Sequence, residues 1–112
     1  MPQTNLPLAR RLGHRLGVCV TPSRNPKKKL DVFRLGKRVA SVGARDYEDF
    51  LTHGDRERRR RYKQRHEKTR HRRGSPSFFA DALLWPTDPA VAAARRLPLR
   101  SLRPTLKCSD TY

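Results

Sequence analysis

Lys29-Leu-Asp-Val-Phe-Arg-Leu-Gly-Lys-Arg-Val-Ala-Ser-Val-Gly43 decides the fold. Two runs containing β-branched residues flank a short connection, Leu35-Gly36-Lys37. Gly36 supplies a residue that takes positive φ at no steric cost. Alternation places Leu30 and Val32, with Arg34, on one face of the first run, and Asp31 and Phe33 on the other. The reading is a β-hairpin over residues 29–43. Upstream, Val18-Cys-Val-Thr21 is a candidate third strand, set off by Pro22, Ser23, Asn25 and Pro26, all turn formers. A lone hairpin is marginal in water, so other elements must cover it.

Helices are expected downstream. Residues 46–51 read as a short helical turn, with Asp46 as N-cap and Phe50 and Leu51 pointing inward. Asp55 is a natural cap for a helix running from about Arg56 to Arg72. The uncharged landmarks of that helix, Tyr62, His66 and Thr69, share one face. The pairs Asp55–Arg59, Glu57–Arg61 and Glu67–His71 contribute a few tenths of a kcal/mol each and cannot offset the eleven basic residues of 55–73. Gly74 stops the helix; Ser75 or Ser77 caps the next, with Pro76 in its first turn. Residues 76–85 form the most apolar segment. Phe78, Ala82 and Trp85 make one stripe, Phe79 and Leu83 its neighbour, and Trp85 is the expected core anchor. Asp88 is the expected cap of a last short helix. The leucine- and arginine-rich remainder, broken by proline, reads as an extended arm.

The fold class is therefore α+β: a small β-hairpin or three-stranded antiparallel sheet packed by two or three helices, with extended basic N- and C-terminal arms. The expected boundaries are an arm over residues 1–27, a domain over 28–86, and a short helix plus arm over 87–112. With 112 residues, of which 35% are hydrophobic, one thin core is the limit. No stretch approaches the roughly 18–20 apolar residues of a membrane span.

Charge is segregated. The chain carries 27 Lys+Arg against 10 Asp+Glu, a formal charge of +17. Residues 1–29 hold seven basic residues and no acid, residues 30–54 four of each, and residues 55–73 eleven basic against three acidic. Residues 74–94 hold two acids and no base, and residues 95–112 five bases and one acid. Such a balance calls for an anionic partner: nucleic acid, an anionic membrane face or an acidic protein surface. Within the basic helix, Arg58, Arg59, Arg60, Arg61, Lys63, Arg65 and Lys68 cover nearly the whole circumference. The excess of arginine suits bidentate contacts with phosphate or carboxylate. Arg10, Arg11 and Arg15 are the matching candidates in the N-terminal arm, whose composition overlaps with that of an organellar presequence but reads as a basic binding tail. Tyr62 is the lone aromatic on the basic helix, a poor pattern for stacking unpaired bases.

Catalytic chemistry finds little footing. His66 and His71 are five residues apart, off a common helical face, and His14 and His53 lie far from them. No metal site and no cofactor is expected. Asp46, Glu48 and Asp49 cluster, but a capped turn accounts for them better than paired catalytic carboxylates. Ser41, Ser75 and Ser77 lie in no nucleophile motif, and Gly36 and Gly43 are turn glycines rather than a phosphate loop. The two cysteines, Cys19 and Cys108, form no CxxC pair and are expected as free thiols; a bridge between them does not follow from sequence.

Residues 28–85 resemble a family of small, basic, mostly uncharacterised proteins of nucleocytoplasmic large DNA viruses. The residues that carry the resemblance are Val42, Gly43 and Ala44 at the end of the hairpin, then Tyr47, Asp49, Phe50, Thr52, His53 and Asp55. Arg61, Tyr62, Arg65, His66 and Lys68 follow on the basic helix, and Gly74, Phe78, Phe79, Leu83, Leu84 and Trp85 close the pattern. The sequence departs from the family at Glu48-Asp49-Phe50-Leu51, in a short linker before Phe78, and in both tails. The resemblance implies a viral protein carried in the particle, with no catalytic activity, residing in the virion and in the host cytoplasm or nucleus during assembly. It recasts Tyr47, Phe50, His53, Tyr62, His66, Phe78, Leu83 and Trp85 as a structural signature.

The leading expectation is a non-enzymatic minor capsid or inner virion protein whose basic arms meet acidic surfaces of neighbouring subunits. The alternatives are a sequence-independent binder of DNA or RNA phosphates, and an organellar ribosomal protein.

Overall fold

Leu35 and Gly36 both adopt positive φ, 51° and 82°, and join strands β2 (Lys28–Arg34) and β3 (Lys37–Ala44) in a two-residue hairpin turn. The computed structural model in which this is seen describes residues 5–97. Strand β1 (Cys19–Pro22) pairs antiparallel with β2, giving a three-stranded sheet of order β1-β2-β3. Val20, Val32 and Ala40 are aligned across the sheet, and Leu30 lies beside Val42. All five are buried. A bulge interrupts the β2–β3 register between Val32 and Phe33. The architecture is the expected α+β arrangement of an antiparallel sheet and several helices.

Helix α1 (Leu6–Arg15) covers the sheet together with α4 (Pro76–Leu84). Asn5 caps α1 by accepting from the Leu8 N–H, and Leu8, Ala9 and Leu12 line its buried face. Residues 6–15, expected within a basic arm, thus pack on the core as a helix, and the candidate third strand at Val18–Thr21 is β1. The leucines that spot this basic stretch recur at helical spacing, so the apolar face outweighs the charges on the other side. Helix α5 (Asp88–Arg95) packs on α1 and buries Ala94 fully. Its cap is Thr87, which accepts from the Ala90 N–H, rather than Asp88. Asp88 instead pairs with Arg59 and Arg56. The extended arm expected after α5 falls on residues 98–112, outside the described residues.

Ser75 caps α4 by accepting from the Phe78 N–H, and Pro76 opens its first turn. Phe79, Leu83 and Leu84 are the buried residues of the helix, and Trp85 closes it at 9% exposure. Phe78 is half-buried, with its ring edge-on to Phe79.

Two short elements differ from expectation. The cap of α2 (Phe50–His53) is Asp49, which accepts from the Thr52 N–H; Asp46 lies before it in an exposed turn. Asp49 wins because Lys29 Nζ, 2.7 Å from its carboxylate, holds it in place. The basic helix α3 (Arg56–Arg65) is capped by Asp55 as expected, but it ends at His66 and not near Arg72. Residues 66–74 continue as turns, with Glu67 chelating Arg70 and His71. A run of like charge propagates a helix poorly once the packed Tyr62–His66 contact is passed. Cys19 is disulfide-bonded rather than a free thiol. Cys108 lies outside the described residues.

Candidate nucleic-acid interface

Helix α3 buries none of its residues fully and is held to the core from one side only. Tyr62 stacks face-to-face on Trp85, with centroids 4.4 Å apart and planes 6° from parallel. His66 lies 4.3 Å from the other side of the same ring. His53 packs against Trp85 at 5.3 Å, and Phe50 stands edge-on to His53. Burial, with the nearby Asp81 carboxylate, pushes the Tyr62 phenol up to about 12. Burial, aided by the Arg58 guanidinium, lowers the His53 pKa, so the imidazole packs neutral. Its Nδ1 accepts the Asp55 N–H, which ties α2 to the start of α3. The structure therefore brings Phe50, His53, Tyr62, His66 and Trp85 into one cluster. It places Phe78 and Leu83 in the packing of α4, and Tyr47 on the surface at 73% exposure.

The basic residues expected to meet a partner separate into two groups. Arg59 lies over the Phe50 ring and donates to Pro86 O and Asp88 Oδ1. Lys63 donates to Asp81 at 2.8 Å in a part-buried pair. Arg60 is paired with Glu57, and Arg58 with Glu48. Arg10, Arg11 and Arg15 tether α1, donating to the carbonyls of Val20, of Leu97 and Pro7, and of Ala90 respectively. Helix formation thus places these three on α1 rather than on an extended arm, with Arg10 and Arg15 still exposed. Arg61, Arg65 and Lys68 are exposed and make no hydrogen bond or ion pair among the described residues.

Arg58, Arg61 and Arg65 line a cleft of about 490 Å³ between α3 and the segment before α2, with Tyr47, Tyr62 and Trp85 among its other walls. Lys29 and Asp49 form part of its floor as a fully buried ion pair. On the far side of Tyr62 and His66, a second hollow of about 440 Å³ is lined by Lys28, Ser41, Thr69, Arg72 and Ser77. Gly43, Tyr62, His66 and Ala80 border both, so the two hollows flank one aromatic wall. Gly43 has to be glycine: a Cβ there would lie 2.6 Å from Leu84 Cδ1, and its φ is 81°.

Two buried polar centres were not legible in the sequence. One is Lys29–Asp49. The other is Asp31, which accepts from Ser23 Oγ, Ser41 Oγ and the Arg24 N–H. Burial raises the Asp31 pKa, but these donors, with Arg38 nearby, outweigh it and hold the carboxyl below its usual range. The signal was present for Asp31: a carboxylate between two apolar strand residues needs donors from both neighbours, and Ser41 is directly opposite.

A family model described as a family of unknown function (DUF5754) matches residues 18–66. The match begins at Val18, just before β1, and stops at His66, so it takes in the sheet, α2, α3 and most of the cleft. No curated protein and no solved structure matches the chain. Among the described residues no helix is long and apolar enough to cross a membrane, and no three His, Cys, Asp or Glu side chains gather as a metal ion would require.

Proposed function

We propose that the protein is a non-enzymatic, sequence-independent nucleic-acid-binding protein that contacts phosphates through the open face of α3. In the setting the resemblance implies, it works in the particle of a large DNA virus. One observation carries the reading: Arg61 and Arg65 on α3, and Lys68 in the turn after it, are exposed and make no ion pair among the described residues, while Arg58, Arg59, Arg60 and Lys63 are paired. Uncompensated guanidinium groups beside a cleft match phosphate geometry, and they contribute affinity by releasing counterions. Bridging of neighbouring subunits by basic arms has less in its favour, because residues 6–22 belong to the fold.

The test is binding of the full chain to a labelled duplex, followed by anisotropy across a salt series. The expected result is a linear fall of log K with log salt, about 0.9 in slope per phosphate contacted. Reversing charge at Arg61→Glu, Arg65→Glu and Lys68→Glu should flatten the slope by about 3 and abolish binding at roughly 200 mM salt. If this variant binds DNA as the parent does, the assignment to α3 is wrong.

A further inference from the structure

The cleft beside α3 has a property that duplex binding does not use. Four rings border it: Tyr47, Tyr62, His66 and Trp85. Tyr62 is sandwiched between Trp85 and His66, and Trp85, stacked on Tyr62 and touched by His53, is buried. Neither ring has a face left to offer. Tyr47 makes no ring contact among the described residues and is 73% exposed. An exposed tyrosine on the wall of an arginine-lined cleft is a platform on which a planar ring can stack. Arg61 and Arg65, one turn apart on α3, line the same cleft and make no ion pair among the described residues. From Arg58 to Arg65 the basic edge runs about 10 Å along the helix.

Resting on the nucleic-acid reading above, we propose that this cleft takes an unpaired nucleotide of single-stranded DNA or RNA, its base stacked on Tyr47 and its flanking phosphates on Arg61 and Arg65. The cation and the π-face are the two elements that single-strand grooves combine. A paired base keeps both faces within its own stack and has none to offer the Tyr47 ring. The carboxylates on the lining are compensated within the fold, Asp49 by Lys29 and Glu48 by Arg58. The partner is thus selected by an exposed base face followed by a phosphate, with the sugar left open.

The experiment compares three probes of about 20 nucleotides on the full-length protein: oligo-dT, oligo-rU and a mixed-sequence DNA duplex. The variants are Tyr47→Ala, Tyr47→Phe and Arg61→Ala/Arg65→Ala. Tyr47 is exposed, so its replacement leaves the core intact, and circular dichroism checks this. Tyr47→Ala should weaken single-strand binding roughly 5- to 100-fold and leave duplex binding unchanged. Tyr47→Phe should keep parental affinity, because the ring is kept. A 2-aminopurine placed in the dT strand should be quenched on binding to the parent and not to Tyr47→Ala. The double arginine variant should weaken all three probes. Binding of both dT and rU, each weakened by Tyr47→Ala, supports recognition of base and phosphate. Equal effects of Tyr47→Ala on duplex and single strand, or no effect on either, overturn the stacking site while leaving the phosphate reading standing. Failure of every probe to bind overturns both.

Discussion

Leu35 is 88% exposed and held at φ 51°, a conformation that costs a residue carrying a Cβ about 1–2 kcal/mol relative to glycine. The two-residue turn prefers Asn-Gly. Leu35→Asn should therefore raise stability by about 0.5–1 kcal/mol, read as a higher midpoint in urea with unchanged slope. A lower midpoint would mean that the leucine packs against something. Lys29 presents the opposite case. Its ammonium and the Asp49 carboxylate are both buried, with side chains 6% and 2% exposed. Removing one partner strands the other, so Lys29→Met should cost about 3–5 kcal/mol. Lys29→Met/Asp49→Leu should recover much of that loss, leaving about 1 kcal/mol for the lost cap of α2. Chemical denaturation of the three proteins decides it. A single variant within about 1 kcal/mol of the parent would show that the pair draws on water.

Elements were legible in proportion to how local their causes are. The turn at Leu35-Gly36, the cap at Asp55 and the Ser75-Pro76 start of α4 are written in adjacent residues, and all three are where the sequence puts them. In helix α1 charge hides the pattern: Leu8, Ala9 and Leu12 form a helical face among arginine, histidine, proline and glycine. The end of α3 was misjudged because it depends on where Tyr62 finds Trp85, a contact between distant segments. The cleft was half legible. Its arginines are contiguous on α3, whereas Tyr47 reaches it from another element. The same non-local logic gives a prediction at Gly43, where β3 and α4 meet. Gly43→Ala drives a methyl into Leu84 Cδ1 at 2.6 Å with φ at 81°. Overpacking alone costs about 1–3 kcal/mol, and the backbone adds to it. Thermal unfolding should show a fall of several degrees. Coupling of Gly43→Ala with Leu84→Ala in a double-mutant cycle should be non-zero, since the two share the clash. Strict additivity would place the damage elsewhere.

For the whole molecule, the +17 charge sets how stability responds to ions. Like charges repel in the compact state, and the fixed pairs Lys63–Asp81 and Arg59–Asp88 neutralise only a few of them. Salt screens repulsion at surface separations of about 8–10 Å while leaving the buried Lys29–Asp49 pair nearly untouched. Raising salt from about 50 to 200 mM should therefore raise Tm of the free protein, at about 4–8 °C per kcal/mol for a fold of this size. A bound polyanion does the same work more strongly at low salt. At about 100 times Kd it contributes about 2.7 kcal/mol, and salt removes that contribution as it weakens binding. Tm against salt should thus rise for the free protein and fall or flatten for the oligo-dT complex, with the curves converging near the salt at which binding is lost. The Arg61→Glu/Arg65→Glu/Lys68→Glu variant removes two charges at each position, so its free form should start at higher Tm in low salt and respond to neither salt nor oligo-dT as strongly. If that variant melted lower than the parent at low salt, the open face of α3 would be holding the fold together, and its cations would not be free for a ligand.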